Sequence, residues 1–180
     1  MNWVLIATLL TVATTACTEQ ARNTAAVSQG PAQQDWSLWH AGKRDVERAM
    51  DAAIDEPGGG NWAKAVQILR GSNWPPAVKD HQAGMMIIQS YGIASARRPA
   101  ETLQQGLELV ESSSVQPGET REYAPQHLRI LFERGAGTAP NAIPIDKAVA
   151  DCWLAIERRT ANEPARCIAL RRQRLPRVGT

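Results

Sequence analysis

Hydrophobic residues recur at helical spacing along most of this chain. From Asp35 onward, apolar side chains return every three or four positions, which places them on one face of a helix. Sustained alternation and clusters of β-branched residues, which mark strands, are nearly absent. The pattern therefore predicts an all-α fold.

Capping residues and helix breakers divide this pattern into about seven helices. Asp35 and Asn61 are good N-cap residues, Pro76 and Pro164 suit first turns, and the run Pro57-Gly-Gly-Gly60 stops a helix. The predicted helices cover approximately residues 35–54, 61–71, 76–94, 99–111, 119–134, 144–159 and 164–174. Because the connections are short, neighbouring helices are expected to pack as antiparallel hairpins, stacked as a short α-solenoid or a compact helical bundle.

The first residues carry an export pattern. The apolar run from Trp3 to Ala13 is too short to span a bilayer, and Thr14 and Ala16 are small, as signal cleavage requires. The sequence Thr-Ala-Cys followed by polar residues resembles the lipobox of bacterial lipoproteins. It departs from that pattern at Thr14, where Leu is usual, and it lacks the basic residue near the start.

The lipobox resemblance implies residues 1–16 as signal peptide and Cys17 as the lipidated first residue of the mature chain. Thr18 lacks the acidic retention signal of inner-membrane lipoproteins, which implies an outer membrane lipoprotein facing the periplasm. Cleavage after Ala16 to give a soluble periplasmic protein is an alternative, and a buried N-terminal helix of a cytoplasmic protein is another. Residues 17–34 are small, polar and aperiodic, so they predict a flexible tether before a domain over 35–180.

Two cysteines remain in the mature domain besides Cys17. An even pair in an exported domain favours a disulfide between Cys152 and Cys167, and two buried free thiols are the alternative. Closing a loop of about 15 residues stabilises a fold by roughly 3 kcal/mol in the chain-entropy model. We predict that this bond joins the sixth and seventh helices.

The fifth and sixth helices resemble one SEL-like repeat, a relative of the tetratricopeptide repeat. The matching positions are Ala124, Leu128, Phe132, Gly135, Gly137, Asp146, Lys147, Ala148 and Trp153. Small Ala124 and Ala148 are expected to let two helices approach, while Phe132 and Trp153 fill the space between hairpins. Fainter copies begin near Ala83 and Asn61. The resemblance implies a repeat domain that binds proteins and is not an enzyme.

Catalytic and metal-binding patterns are missing from the sequence. His40, His81 and His127 lie far apart, with no spacing typical of metal ligands, and no nucleophile elbow or phosphate loop occurs. Glu101, Glu108 and Glu111 are expected on solvated helix faces. We therefore predict no enzyme activity, no cofactor and no metal, and the net charge of +2 gives no argument for nucleic acid.

Positive charge is concentrated in the last two helices. It would suit an acidic partner surface or anionic lipid, although arginines also favour helix C-termini and solvated faces, which is the interpretation we favour. The candidate partner-binding residues are Arg171, Arg172 and Arg174, in a group that includes Arg158, Arg159, Arg166 and Arg177.

Tryptophan is the other unusual residue, with six in the chain against one phenylalanine. Trp36 and Trp39 are candidates for partner binding because tryptophan is enriched at binding hot spots. Together with Trp62 and Trp74, however, they cluster in the first third of the domain, and we favour a core role for this group.

These features favour a periplasm-facing lipoprotein that works as a protein-binding module. An immunity protein that neutralises a secreted antibacterial toxin is one specific form. A structural or assembly adaptor of a cell-envelope secretion or conjugation machine is the alternative, and a small envelope hydrolase is a third. The expected partners are another envelope protein and, through the N-terminal lipid, the membrane.

Overall fold

The computed structural model describes residues 36–137 and 142–175, with side chains from residue 42 onward. The predicted signal peptide, Cys17 and the tether lie outside the described residues. Seven helices form the described chain: α1 (Trp36–Ile54), α2 (Trp62–Gly71), α3 (Pro76–Ser90), α4 (Leu103–Val115), α5 (Thr120–Arg134), α6 (Lys147–Glu157) and α7 (Pro164–Arg174). Within these ranges, Ala136 and Ile143 form an isolated antiparallel β-bridge. The all-α prediction is confirmed.

Side-chain caps fix where several helices begin. The Asn61 side chain accepts from the backbone N–H of Lys64 at the start of α2, and Asp146 accepts from Val149 N–H at the start of α6. Thr102 opens α4 with a capping box, in which Thr102 and Gln105 each bond the other's backbone N–H. These bonds satisfy N–H groups that have no partner within the helix.

Four predicted helix bounds were wrong. Helix α3 ends at Ser90, and α4 begins only at Leu103, because the capping box at Thr102 sets its start. Helix α4 then continues through the predicted loop to Val115, since Ser113 and Ser114 are buried and donate to carbonyls one turn back. Helix α6 begins at Lys147 and not at residue 144, because backbone bonds between Ile143 and Ala136 hold the preceding segment extended.

The helices form consecutive packed pairs along the chain. Each helix contacts the next, and the main contacts between helices that are not consecutive join α3 with α5 and α7 with α4. The hairpins therefore stack, and α7 returns to cover α4. This arrangement agrees with the predicted bundle or short solenoid.

Two hydrophobic clusters make up the core of the described chain. The first joins α1, α2 and α3, and the second joins α4 to α7 with the end of α3. Trp62 and Trp74 are buried in the first cluster, so the core interpretation holds for these two tryptophans. The side chains of Trp36 and Trp39 lie outside the described part of the structure.

The apolar positions that resemble a SEL-like repeat pack in the core, except for Ala148. Ala124, Leu128 and Phe132 of α5 and Trp153 of α6 are completely buried. Ala148 is exposed, so the prediction that it allows close helix approach was wrong. The cap at Asp146 fixes the phase of α6, and Ala150 faces the core instead.

Helices α3 and α4 approach closely through two glycines. A Cβ added to Gly84 would lie 2.5 Å from the carbonyl oxygen of Gly106 and 2.7 Å from Val110 Cγ2. A Cβ added to Gly106 would lie 2.8 Å from Ile87 Cγ2. Real Cβ atoms do not come this near, so both positions require glycine at this separation of the helices.

Candidate functional site

The disulfide between Cys152 and Cys167 joins α6 to α7, as the sequence predicted. The turn between these helices reverses the chain over a few residues. The backbone N–H groups of Thr160 and Ala161 both donate to the carbonyl of Ala155. Arg159 provides the left-handed residue of this turn, with φ of 58°, a conformation that usually favours glycine. The disulfide and the turn together hold the arginines of this region on a fixed backbone.

Exposed arginines surround the turn, and we name Arg121, Arg158, Arg159 and Arg166 the basic surface. Arg121 donates to the side chain of Asn162 at 3.1 Å. The other three guanidinium groups form no ion pair with any carboxylate of the described residues. Their charges are therefore available to a partner.

Two adjoining surface cavities of about 400 and 770 Å³ lie at the basic surface. Arg121 and Arg159 line the first, Arg166 lines the second, and Ile156, Ala161 and Asn162 line both. The disulfide forms part of the wall of the second cavity. The cavities thus place apolar side chains between arginines.

Carboxylates also line these cavities, but two of the four are already paired. Glu157 accepts from Arg129 at 2.6 Å, and Asp151 accepts from Lys147 at 3.0 Å. Glu122 and Glu163 are the other two. With the paired groups neutralised, the unpaired arginines exceed the unpaired carboxylates, and the surface carries mixed charge with a positive excess.

The three arginines predicted to bind a partner have different surroundings. Arg171 is buried, with 2% exposure, so the prediction of a surface role for it was wrong. Arg174 is exposed but donates from Nε to both oxygens of Asp146, at 2.8 and 3.1 Å. Arg172 is exposed. Arg177 lies outside the described residues.

Arg171 is buried because α7 packs onto α4. There it forms an ion pair with Glu111. Nε and Nη2 of Arg171 donate to the two carboxylate oxygens of Glu111 at 2.9 and 2.5 Å. The prediction that Glu111 is solvated was therefore wrong, as its exposure is 2%. Burial raises the pKa of Glu111, while the hydrogen bonds from Arg171 oppose this. A bidentate bond is the geometry that best compensates two desolvated charges.

Two histidines that are far apart in the sequence meet between α3, α4 and α5. His81 Nε2 and His127 Nδ1 are 2.8 Å apart, and His81 Nδ1 lies 3.1 Å from Ser113 Oγ. The Tyr123 ring stands edge-on to His81, with centroids 4.8 Å apart. Sequence spacing gave no signal for this cluster, because its members come from three helices.

Hydrogen bonding assigns the tautomers of this pair. Ser113 Oγ donates to the carbonyl of Val110, so it accepts from His81 Nδ1–H. His81 Nε2 is then the acceptor for Nδ1–H of His127. His81 is neutral in this arrangement, because its Nε2 carries no proton. Burial, with a smaller effect of His127, lowers the pKa of His81 to about 4, and burial also lowers the pKa of His127.

Among the described residues, no group of three or more His, Cys, Asp and Glu side chains is arranged so that it could hold a metal ion. No helix between residues 36 and 175, outside the undescribed loop, has the length and apolarity needed to cross a membrane. The chain matches no protein-family model, no curated protein and no solved structure. Proposals about its function therefore depend on the residues themselves.

Proposed function

We propose that this protein is a binding module of the bacterial cell envelope, anchored by lipid on Cys17 and facing the periplasm. One observation carries this proposal. Arg158, Arg159 and Arg166 are exposed on a disulfide-braced turn, without a carboxylate partner in the described chain, beside cavities lined with apolar side chains. The partner is another protein, whose carboxylates meet these arginines.

Arginine at a fixed position suits this role. The guanidinium group binds carboxylates through two parallel hydrogen bonds, and arginine is enriched at the residues that dominate interface energies. The disulfide and the turn reduce the backbone freedom that binding would otherwise have to restrict. Half-buried Ile156 lies between the arginines and can contribute apolar contact at the centre of the interface.

The specific role we propose is that of an immunity protein against a secreted antibacterial toxin. The lipid anchor would hold the module where a toxin enters the periplasm. A positively charged surface accelerates association with an acidic partner, and rapid capture is what neutralising a toxin demands.

Affinity capture with a matched pair of charge reversals tests the proposal. The mature protein is immobilised and exposed to envelope extracts of toxin-producing cells, beside Arg159→Glu/Arg166→Glu and Arg44→Glu/Arg134→Glu. Both variants change the net charge equally, and Arg44 and Arg134 are exposed residues outside the basic surface. We expect the wild type and the control to retain the same partner and the first variant to lose it, by tenfold or more in affinity.

The identity of the captured protein then decides the role. A toxin whose activity is blocked by the wild-type protein supports immunity, and components of a secretion channel support the adaptor role instead. Failure to recover any specific partner contradicts the binding module. A partner that binds both variants equally leaves a binding module but removes the basic surface from it.

A further inference from the structure

A separate cavity of about 230 Å³ lies where α7 returns to α4 and α5. Its walls are mainly apolar, formed by side chains that include Leu103, Leu107, Phe132 and Ile143. Arg171 and Arg174 also line it. An apolar cavity of about 150 Å³ is sufficient to hold benzene, so this volume accommodates a small organic molecule.

The two arginines that line this cavity have hydrogen-bonding capacity left over. Arg171 uses Nε and Nη2 for Glu111, and its Nη1 has no partner among the described residues. Arg174 uses only Nε for Asp146, so neither of its Nη groups has a partner there either. The cavity therefore combines apolar walls with unused guanidinium donors, which is the composition of a small-molecule site.

Charge also favours an acidic ligand at Arg174. Its carboxylate partner, Asp146, accepts at the same time from the backbone N–H of Val149 at the start of α6. Asp146 is thus stabilised by the helix N-terminus as well as by the arginine. The side chain of Arg174 is 50% exposed, so its Nη groups remain open to a second anion while Nε stays bonded to Asp146.

We propose that this cavity binds a small amphipathic carboxylic acid with a medium-length apolar chain. The chain lies against Leu107 and Phe132, and the carboxylate accepts hydrogen bonds from the Nη groups of Arg174. Charge-assisted hydrogen bonds are about twice as strong as neutral ones, so the acid is preferred over the corresponding alcohol. The site shares no lining residue with the cavities at the basic surface, and the proposal does not depend on the proposed function.

Octanoate is the probe that tests this site. Its ten heavy atoms suit the cavity volume, and isothermal titration calorimetry on the mature chain with Cys17→Ser measures binding without lipid or detergent. We expect saturable one-to-one binding of octanoate, at least tenfold weaker binding of octanol, and no binding of octylammonium. Absence of saturable octanoate binding overturns the proposal, and so does equal binding of octanoate and octanol.

Three variants locate the site. Arg174→Gln removes the charged donor, and Ala142→Trp places a large side chain at the half-exposed rim. Each is expected to weaken octanoate binding at least tenfold while the far-ultraviolet circular dichroism stays native. Arg172→Gln, a neighbouring arginine that does not line the cavity, should bind as the wild type does. Unchanged binding by the first two variants places octanoate elsewhere and contradicts the proposal.

A variant truncated after Leu175 distinguishes binding of an external ligand from occupation of the cavity by the C-terminal residues 176–180. Leu175 lines the cavity, so residues 176–180 follow directly from its wall. Equal octanoate binding by the full and shortened chains supports the site as proposed. Binding by the shortened chain alone shows that the C-terminal segment occupies the cavity, and this outcome overturns it.

Discussion

The fold changes the acid–base behaviour of His81 strongly. Its ring is completely buried, accepts one hydrogen bond from His127 and donates another to Ser113. A proton added at Nε2 would face the N–H of His127, because both nitrogens would then carry hydrogen. Burial therefore acts together with the geometry of the pair to keep His81 neutral.

This environment predicts loss of stability at acid pH. The pKa of His81 is about 4 in the folded protein against 6.5 for an unperturbed histidine, so between these values the unfolded chain binds a proton that the folded chain excludes. The contribution is fully present above pH 6.5 and is lost as the pH falls toward 4. Over this range one histidine accounts for up to about 3 kcal/mol.

Urea denaturation at pH 7.5 and at pH 4.5 measures this effect. His81→Gln keeps a polar side chain but cannot titrate, so its unfolding free energy should change less between the two pH values than that of the wild type. His127→Gln is the comparison, because it retains the buried His81. If the unfolding free energies of the wild type and His81→Gln change by the same amount between pH 7.5 and pH 4.5, His81 does not govern acid stability.

Glu111 and Arg171 show why some residues cannot be assigned from their own helix. Glu111 follows an ordinary pattern of charged positions on α4, and Arg171 stands in an arginine-rich run. Their burial results from the docking of α7, which brings together residues 60 positions apart. Removing one member of such a buried pair generally destabilises a protein by about 3–5 kcal/mol. This is similar to the cost of replacing a large core side chain with alanine.

At the scale of elements, the contact between α3 and α4 depends on Gly84. We expect Gly84→Ala to destabilise the protein by roughly 2 kcal/mol or more, because its Cβ would meet the backbone of Gly106, which cannot move away as a flexible side chain could. The unfolding free energy from urea denaturation measures the change.

Gly71→Ala is the matched control for this substitution. Gly71 is the last residue of α2, and no heavy atom lies within 4 Å of an added Cβ. Alanine there should be neutral or stabilising by up to about 1 kcal/mol, since it reduces the freedom of the unfolded chain. Equal destabilisation by the two substitutions would contradict a specific contact at Gly84.

Helices were predictable where local chemistry controls them. Asn61 caps α2, and the prolines at positions 76 and 164 lie in the first turns of their helices, as expected. Prediction failed around α4, whose start depends on a reciprocal bond at Thr102 and whose end includes serines that burial stabilises. Serine favours turns in isolation, so only the packed environment accounts for the longer helix.

At the scale of the whole molecule, the proposed lipid anchor gives the clearest prediction. We expect Cys17→Ser to move the protein from the membrane fraction to the soluble fraction, because acyl chains supply about 0.8 kcal/mol of membrane binding for each buried methylene. Immunoblotting of separated fractions measures the distribution.

Cys152→Ser is the control, since it removes a cysteine of the disulfide and leaves the N-terminus unchanged. It should remain with the membrane. Wild-type protein already in the soluble periplasmic fraction would indicate ordinary cleavage after Ala16, and membrane association that survives Cys17→Ser would contradict a lipid anchor at this residue.

The sequence by itself determined the all-α class and about seven helices in the described residues, and it favoured the disulfide between Cys152 and Cys167 over free thiols, because spacing, capping residues and an even cysteine pair are visible in short stretches of chain. Tertiary structure alone decided the glycine contact of α3 with α4, the His81–His127 pair and the burial of Glu111 with Arg171. It also left Arg159 and Arg166 exposed while it buried Arg171. The physical reason is that burial and pairing depend on which distant helices dock together, and local periodicity carries no information about that choice.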